Sequence, residues 1–248
     1  MTFLSRIFES SNRFTAPLRP NFPFVAVGDI HGNLGALDAM LSAIASYDDL
    51  PSRLMFVGDY IDRGSDSAAV FNTLYDLHQR RGCVCLLGNH EHMMLEFLRS
   101  PVDAGQRWLR YGGLQTLASF DIPISSASPN PEEAALVAKM LRTALGSELL
   151  SWISGMPLTW QSGNILVTHA GLDPMTPVEH QMRDTHLFGH PQFRKRCRTD
   201  GIWVVHGHSV VDEPTIKDGV ISIDTGAYAT NRLSAAIITE KHIEFLCV

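Results

Sequence analysis

Five short apolar runs, each followed within a few residues by aspartate, asparagine or histidine, constrain the fold of this chain more than any other feature. Runs this short and this rich in β-branched residues predict strands that are buried on both faces of a sheet. Ligands of open α/β sheets bind at the carboxyl ends of the strands, so the polar residues after the runs are expected to form one site. The runs occupy residues 24–27, 54–57, 84–87, 165–167 and 202–205.

Apolar residues at helical spacing lie between these runs and predict three helices. The helices cover residues 34–46, 67–79 and 134–150. The first two alternate with strands in a βαβαβ pattern, which favours parallel pairing. Near the C-terminus, three apolar runs joined by short turns predict an antiparallel finish; they occupy residues 220–223, 235–239 and 243–246. The predicted fold class is therefore α/β, an α/β/β/α sandwich of two mixed sheets flanked by helices.

The length of 248 residues fits one large α/β domain. Residues 1–22 are predicted to be an N-terminal leader, and residues 23–248 a single domain. Within that domain, residues from about 93 to 160 lack the polar residues that follow the strands elsewhere. We expect this region to be a mostly helical insertion near the site.

Charge and composition exclude several classes of function. The net charge is −6, whereas proteins that bind long nucleic acids usually carry a basic excess. The N-terminus lacks a continuous apolar stretch long enough for a signal peptide or a membrane span. Cys83 and Cys85 lie two apart in an apolar run, which suits buried thiols better than a disulfide. We therefore expect a cytoplasmic protein with no nucleic-acid partner, no membrane span and no disulfide framework.

The residues after the five runs are of the types that bind metal ions: two carboxylates, one amide and three imidazoles. They are Asp29, His31, Asp59, Asn89, His169 and His208. Each alone has an ordinary explanation as a turn or cap residue, but their repetition at five strand ends points to function. Oxygen and imidazole ligands suit manganese, iron or zinc rather than calcium. Two such ions sharing a carboxylate would clamp the attacking and leaving oxygens of a phosphoryl transfer, so the sequence predicts a two-metal phosphoesterase.

Three sequence motifs carry a family resemblance. They are Gly-Asp-Ile-His-Gly at 28–32, Gly-Asp-Tyr-Ile-Asp-Arg-Gly at 58–64 and Gly-Asn-His-Glu at 88–91. They resemble, in order and spacing, the signature motifs of the PPP-type serine/threonine protein phosphatases, within the calcineurin-like metallophosphoesterase superfamily. Thr-His-Ala-Gly at 168–171 and Gly-His-Ser at 207–209 look like the later histidine motifs of that family. Tyr-Gly-Gly-Leu-Gln-Thr-Leu at 111–117 resembles its bacterial and bacteriophage branch.

The resemblance implies how the six ligands divide between two metal ions. It implies that Asp29, His31 and Asp59 hold one ion. It implies that Asn89, His169 and His208 hold the other, with Asp59 bridging the two. We expect two divalent ions, with manganese as the first candidate and iron or zinc as alternatives.

The resemblance also implies three roles in catalysis and substrate binding. His90 matches the residue that protonates the leaving alkoxide, and Asp62 matches the carboxylate that orients this histidine and favours its charged form. Arg63 matches an arginine that grips two phosphate oxygens with its planar fork of donors.

The chain departs from the family at the second phosphate-binding arginine. The family places that residue in a Leu-Trp-x-Arg context, whereas residues 187–190 here read Leu-Phe-Gly-His. His190 therefore stands in the position of the arginine. Arg183, Arg194 or Arg196 are the alternatives, and Arg183 is retained with His190 as a candidate substrate-binding residue.

The predicted function is hydrolysis of phosphoserine and phosphothreonine monoesters, by direct attack of a hydroxide activated by two metal ions. The expected partner is a phosphorylated protein or a small phosphoester. One alternative is a symmetrical dinucleoside tetraphosphate hydrolase on the same fold; such enzymes typically carry asparagine and aspartate where this chain has Asp62 and Glu91. A second alternative is a catalytically silent, metal-dependent binding module, although such a module is expected to lose residues like His90 or Asp59.

Overall fold

The computed structural model describes residues 14–46, 51 and 53–248. Most of the predicted leader, residues 1–13, lies outside the described residues, and the division of the chain into leader and domain stays a prediction. No helix within the described ranges is both long enough and apolar enough to cross a membrane.

The described residues form strands and helices in a largely alternating order. The strands are β1 (Phe24–Val27), β2 (Leu54–Phe56), β3 (Val84–Cys85), β4 (Thr159–Ser162), β5 (Ile165–Thr168), β6 (Trp203–His206), β7 (Thr215–Lys217), β8 (Val220–Ser222), β9 (Ser234–Ile238) and β10 (Ile243–Cys247). The α-helices are α1 (Leu34–Ala45), α2 (Ser67–Arg81), α3 (Asn89–Arg99), α4 (Pro101–Trp108), α5 (Leu114–Ser119), α6 (Pro131–Ser154), α7 (Arg183–Phe188) and α8 (Ala227–Thr230). A π-helical turn, Leu109–Gly113, joins α4 to α5, and a short 3₁₀ turn, Val178–His180, precedes α7.

The first sheet has the strand order β10-β9-β1-β2-β3. β1, β2 and β3 are parallel, as the βαβαβ pattern predicts, and are connected through α1 and α2. β9 and β10 form an antiparallel hairpin, and β9 also pairs with β1 in the antiparallel sense. The expected antiparallel finish is therefore confirmed for the last two runs.

The second sheet has the order β4-β5-β6-β8-β7, and it corrects one expectation from the sequence. The run at 220–223 does not join the antiparallel finish, because β8 pairs parallel to β6 in this second sheet. It is antiparallel only to the short, exposed strand β7 at the sheet edge. Both faces of β8 are covered, because Ile221 lies in the inter-sheet apolar cluster and Val220 packs against the cluster on the outer side.

The two sheets pack against each other through a shared apolar core. In β1, Phe24 and Ala26 point into an apolar cluster shared with the second sheet, while Val25 and Val27 point into the cluster under the helices. In β5, Ile165 and Val167 belong to the inter-sheet cluster, whereas Leu166 packs on the outer side. This alternation is the period-two pattern of strands covered on both faces. The predicted α/β/β/α sandwich is confirmed.

Helices of the 93–160 region pack close to the loop that follows β2. Gly112 adopts a φ of 121° in the π-helical turn, and a Cβ atom on it would lie 2.7 Å from the backbone nitrogen of Arg63 and 2.9 Å from Cβ of Asp62. Only glycine tolerates both the conformation and the close approach. This contact fixes the position of the Asp62–Arg63 turn relative to the insertion.

We predict that Gly112→Ala destabilises the protein, because the new methyl group displaces the Asp62–Arg63 turn and the residue must adopt a strained φ. A cost of about 1–3 kcal/mol is expected, with a fall in Tm of several degrees measured by calorimetry. Gly35→Ala is the matched control, because a Cβ there meets no atom closer than 3.8 Å and alanine favours the helix. Equal Tm values for the two variants would contradict the packing argument.

Candidate metal centre and active site

The carboxyl ends of strands from both sheets bring the six predicted metal ligands together. Asp29 and His31 follow β1, Asp59 follows β2, Asn89 begins α3 after β3, His169 follows β5, and His208 follows β6. All of these side chains are buried except that of His208, which is partly exposed. The loops that carry them bend sharply, since His31, Asp59 and His208 have φ values of 49°, 54° and 61°.

Asp59 lies between two histidines that approach its two carboxylate oxygens. Nε2 of His31 is 3.5 Å from Oδ2, and Nε2 of His169 is 3.3 Å from Oδ1. In each ring the other nitrogen, Nδ1, donates to a backbone carbonyl, that of Ile61 at 2.8 Å and that of Val57 at 3.1 Å. These bonds place a proton on Nδ1 of both rings and aim Nε2 at the space beside Asp59, the arrangement a bridged metal pair requires.

The second side of the site contains Asn89, His169 and His208. Oδ1 of Asn89 lies 2.9 Å from Nε2 of His169. Ligand atoms of Asp59, His169 and His208 lie within 4.8 Å of one another. These short distances would allow the side chains to surround one shared ion.

Asp29 supplies the clearest sign that a cation belongs here. Its Oδ2 accepts a hydrogen bond from the backbone of His208 at 3.0 Å, but its Oδ1 is buried and has no hydrogen-bond partner among the described residues. Burial, together with the nearby carboxylates of Asp224 and Asp59, raises the pKa of Asp29 well above its ordinary value. A divalent ion bound to Oδ1 would satisfy this unpaired oxygen and would offset the repulsion between the buried carboxylates.

Two of the three imidazoles, those of His31 and His208, are held in the neutral form that ligation needs. Burial lowers the pKa of His31 to about 3 and that of His208 to about 4. The donor set is oxygen and nitrogen without sulfur, which fits manganese, iron or zinc equally well. The residues present therefore fit a divalent metal pair.

His90 also lies close to Asp59, with Nε2 at 3.8 Å from Oδ2, so distance alone groups it with His31 as a ligand. Its hydrogen bonds indicate a different role. Nδ1 donates to Oδ2 of Asp62 at 2.6 Å, and Nε2 faces Nη2 of Arg63 at 3.2 Å. A guanidinium at that position disfavours a metal ion on the same nitrogen. Burial lowers the pKa of His90, but Asp59 and Asp62 outweigh it and the net pKa is raised.

Two residues that the sequence analysis did not assign to the site hold Asp62 in place. Nε1 of Trp108 donates to Oδ2 of Asp62 at 3.0 Å, and Oγ1 of Thr116 donates to Oδ1 at 2.5 Å. Both come from the 93–160 region, so this region helps to build the site as well as lying near it. Asp62 is fully buried, and these donors satisfy a carboxylate that water cannot reach.

Tyr228 is a further residue that the sequence analysis missed. Its ring packs edge-on against His31 at 5.3 Å, and the guanidinium of Arg63 lies 4.6 Å from the ring centroid. The ring is 40% exposed, so one side of it is open to a bound molecule. No motif marks this position, and only the fold brings α8 beside the loop after β2.

The sequence analysis did not assign Asp224 to the site, although its position after an apolar run points to it. It follows the apolar run at 220–223 in the same way that Asp29 and Asp59 follow theirs. Its side chain is buried, and burial together with Asp59 raises its pKa. It therefore adds negative charge behind Asp29 and increases the attraction of the site for cations.

Glu91 has a structural role that its motif position did not reveal. Its carboxylate is fully buried and accepts hydrogen bonds from the backbone of Asp59 at 3.0 Å, Tyr60 at 2.8 Å and Gly88 at 3.1 Å. Burial and the neighbouring Asp59 raise its pKa to about 7. Glu91 thus fixes the loop that presents Asp59 and makes no contact with open space.

The two candidate substrate-binding residues differ in their placement. His190 lines a groove of about 340 Å³ that begins at His208, and Arg194 lies on the same groove. Arg183 instead lies exposed at the start of α7, and its side chain makes no hydrogen bond or ion pair with the described residues. The geometry therefore favours His190 and Arg194 over Arg183 for contact with substrate.

We predict that chelation lowers the Tm of the wild-type protein and that reloading restores it, because metal binds the folded state alone. The Asp29→Asn variant should lose most of this metal-dependent gain. In the chelated state, however, the same variant should have a higher Tm than the wild type, because it removes a buried charge that faces Asp59 and Asp224. Asp38→Asn, on the exposed face of α1, is the control and should behave like wild type. A chelator-insensitive wild-type Tm would contradict the metal assignment.

We predict that Asp62→Asn lowers kcat about 10²- to 10⁴-fold for substrates that need a proton donor. His90 donates only when protonated, so activity falls as pH rises through its pKa. Asp62 helps to raise that pKa, so its neutralisation should move the alkaline limb of the kcat/KM profile to lower pH. The matched control is Asp66→Asn, an exposed carboxylate at the start of α2. An unshifted limb in Asp62→Asn would show that His90 is not the acid.

Comparison with known proteins agrees with this geometry. The profile of the calcineurin-like phosphoesterase family matches residues 22–212. An asymmetrical bis(5'-nucleosyl)-tetraphosphatase, PrpE, of Oceanobacillus iheyensis is 26% identical over 245 residues, covering 90% of each chain. A symmetrical bis(5'-nucleosyl)-tetraphosphatase of Pseudomonas fluorescens is 29% identical, covering 81% of this chain and 86% of that protein.

Among solved structures, the crystal structure of a putative diadenosine tetraphosphatase superposes with a TM-score of 0.61 at 22% identity. The match covers 94% of this chain and 98% of that one, and it shows a shared fold. The family profile spans most of the chain, and its matched range contains all six candidate ligands, from Asp29 to His208. The chain belongs to the calcineurin-like phosphoesterase family.

Proposed function

We propose that this protein hydrolyses dinucleoside polyphosphates such as diadenosine tetraphosphate. The observation that carries the proposal is a binding surface that extends to both sides of the metal centre. Tyr228 offers an open aromatic face beside His31, and the groove lined by His190 and Arg194 begins at His208. A substrate with a nucleoside at each end of a phosphate chain would use both sides. Both relatives compared above carry tetraphosphatase names, which supports the same substrate class.

Asp62 and Glu91 match the protein-phosphatase motifs, but they do not discriminate between a phosphopeptide and a dinucleoside polyphosphate as substrate. Asp62 is fully buried and bonded to His90, Trp108 and Thr116. Glu91 is fully buried and bonded to backbone groups. Neither side chain can touch a substrate, so neither reports directly on what the site accepts.

Different residues of the chain have different roles in phosphoester hydrolysis. When bound, a pair of divalent ions supplies an activated water and neutralises charge on the phosphate. Arg63 binds the phosphate oxygens, and in doing so its guanidinium leaves Nε2 of His90, which it otherwise faces at 3.2 Å. Nε2 is then free to carry the proton for the leaving group. Asp62 holds the ring in the correct orientation through Nδ1.

A second candidate function is phosphomonoester hydrolysis. It is supported by the hydrogen-bonded pair of His90 and Asp62, which is placed to donate a proton to a leaving group. An alkoxide leaving group such as that of serine needs protonation, whereas the nucleotide phosphate released from an anhydride is a far better leaving group. The buried pair of His90 and Asp62, with its donors from Trp108 and Thr116, is the machinery that the poorer leaving group requires. The two substrate classes therefore depend on His90 to different extents.

The test is turnover of diadenosine tetraphosphate and of phosphoserine, phosphothreonine and phosphotyrosine peptides, after chelation and reloading with manganese, iron or zinc separately. We expect the dinucleotide to give the highest kcat/KM. Tyr228→Ala should raise its KM about tenfold or more, since a stacked base contributes about 1–3 kcal/mol. Tyr228→Phe, which keeps the ring, is the control and should stay near wild type.

Three outcomes separate the alternatives. Preferred turnover of the phosphopeptides, with no effect of Tyr228→Ala, would overturn the proposal in favour of a protein phosphatase. A loss of kcat in His90→Ala that is as large for the dinucleotide as for a phosphoserine peptide would contradict the leaving-group argument. Metal-loaded protein that turns over none of these substrates would point to a binding module.

A further inference from the structure

A basic cavity lies outside the metal centre, beside the β7–β8 hairpin. Its volume is about 110 Å³, and its walls come from the 194–197 segment and the β7–β8 hairpin. Four cationic side chains line it: Arg194, Lys195, Arg196 and Lys217. None of the six predicted metal ligands lines this cavity.

The concentration of positive charge is unusual for this chain. The protein carries a net charge of −6 and has only four lysines, two of which line this one cavity. Asp218 is the single acidic residue in the lining. Asp200, which is close in sequence, is engaged by Arg198, so it is not available to the other cations of the segment.

The four cations are exposed, and none of them makes an ion pair, with Asp218 or with any other acidic group, within the described part of the chain. Each described ion pair closer than 4.0 Å involves other basic groups, and no side-chain hydrogen bond of these four residues occurs among the described residues. Like charges held together repel one another unless an anion lies between them. Arg194 also adopts a φ of 65°, a conformation that non-glycine residues rarely take unless surrounding contacts stabilise it.

The lining of the cavity also includes uncharged polar groups. Ser222 is almost fully buried, and its hydroxyl bonds to Nε2 of His206 at 2.7 Å. Thr215 and Cys197 also line the walls. A water occupies about 30 Å³ in the liquid, so the cavity has room for one compact polar group but not for a whole nucleotide.

We propose that this cavity is an anion site that binds one phosphoryl group, either free inorganic phosphate or the terminal phosphate of a nucleotide whose remainder stays outside. Arginine grips two oxygens of such a group at once, and lysine adds a mobile point charge. The site is independent of the substrate proposed for the metal centre. Arg194 borders both this cavity and the groove at His208, so it is left intact in the test.

The test is the number of phosphates bound per chain, measured by equilibrium dialysis of the metal-loaded protein with radiolabelled inorganic phosphate. Arg63→Ala weakens phosphate binding at the metal centre and leaves the cavity, so any further loss caused by the lysine substitutions in this background reports on the cavity. In that background, Lys195→Gln with Lys217→Gln should weaken phosphate binding about tenfold or more. Lys139→Gln with Lys241→Gln removes the same charge from exposed positions elsewhere and should have no effect.

Two further measurements keep the result interpretable. Lys217→Arg preserves the charge and should keep wild-type affinity for phosphate. Lys195→Gln with Lys217→Gln should keep wild-type turnover at the metal centre, which shows that this double variant is folded. Competition by ADP against labelled phosphate distinguishes the sources: displacement at lower concentration than by unlabelled phosphate supports a nucleotide phosphate, and weaker displacement supports free phosphate. Unchanged phosphate affinity in the cavity variant, or an equal loss in the Lys139/Lys241 control, would overturn the proposal whatever the metal centre hydrolyses.

Discussion

The site depends on one buried carboxylate, that of Asp59, held between two histidines. Burial alone would raise the pKa of Asp59, but His169, His90 and His31 around it lower that pKa well below its ordinary value, so the group stays charged. The charge is what allows one side chain to face two ion positions. His31 and His169 face its two oxygens, and Glu91 keeps it in place through hydrogen bonds to the backbone of the Asp59 loop.

The loops that deliver these residues are strained, and the strain is concentrated at the site. His31, Asp59, Asp62, Arg63 and His208 all have φ between 49° and 71°, a region that L-residues rarely adopt. Such positions cost about 1–3 kcal/mol each and persist only where the surroundings hold them. Two well-packed sheets supply that support, and metal binding would offset part of the cost by stabilising the folded state. The Oδ1 of Asp29 shows the same logic, since a cation beside it would satisfy a buried oxygen that no described donor reaches.

The helices between residues 93 and 160 extend the site beyond the strand ends. Trp108 and Thr116 hold Asp62, Asp62 orients His90, and Gly112 lets the π-helical turn approach the backbone of Arg63. A chain of hydrogen bonds thus runs from this region to the predicted proton donor. Tyr228, on α8, packs against both His31 and Arg63. The phosphate-facing side of the site is therefore assembled from parts of the chain that are far apart in sequence.

The sequence by itself determined the parallel core strands, the α/β class and the identity of the six ligand-type residues. It did so because strand periodicity is local and because a metal ligand must follow a strand end closely. Asp224 carried the same signal and was within reach of the same reasoning. Only the tertiary structure decided that β8 lies in the second sheet, that Glu91 supports the backbone and that Trp108, Thr116 and Tyr228 reach the site. These contacts join residues from separate elements, and the packing of the two sheets and their helices sets the distances between them. No local pattern of the chain encodes those distances.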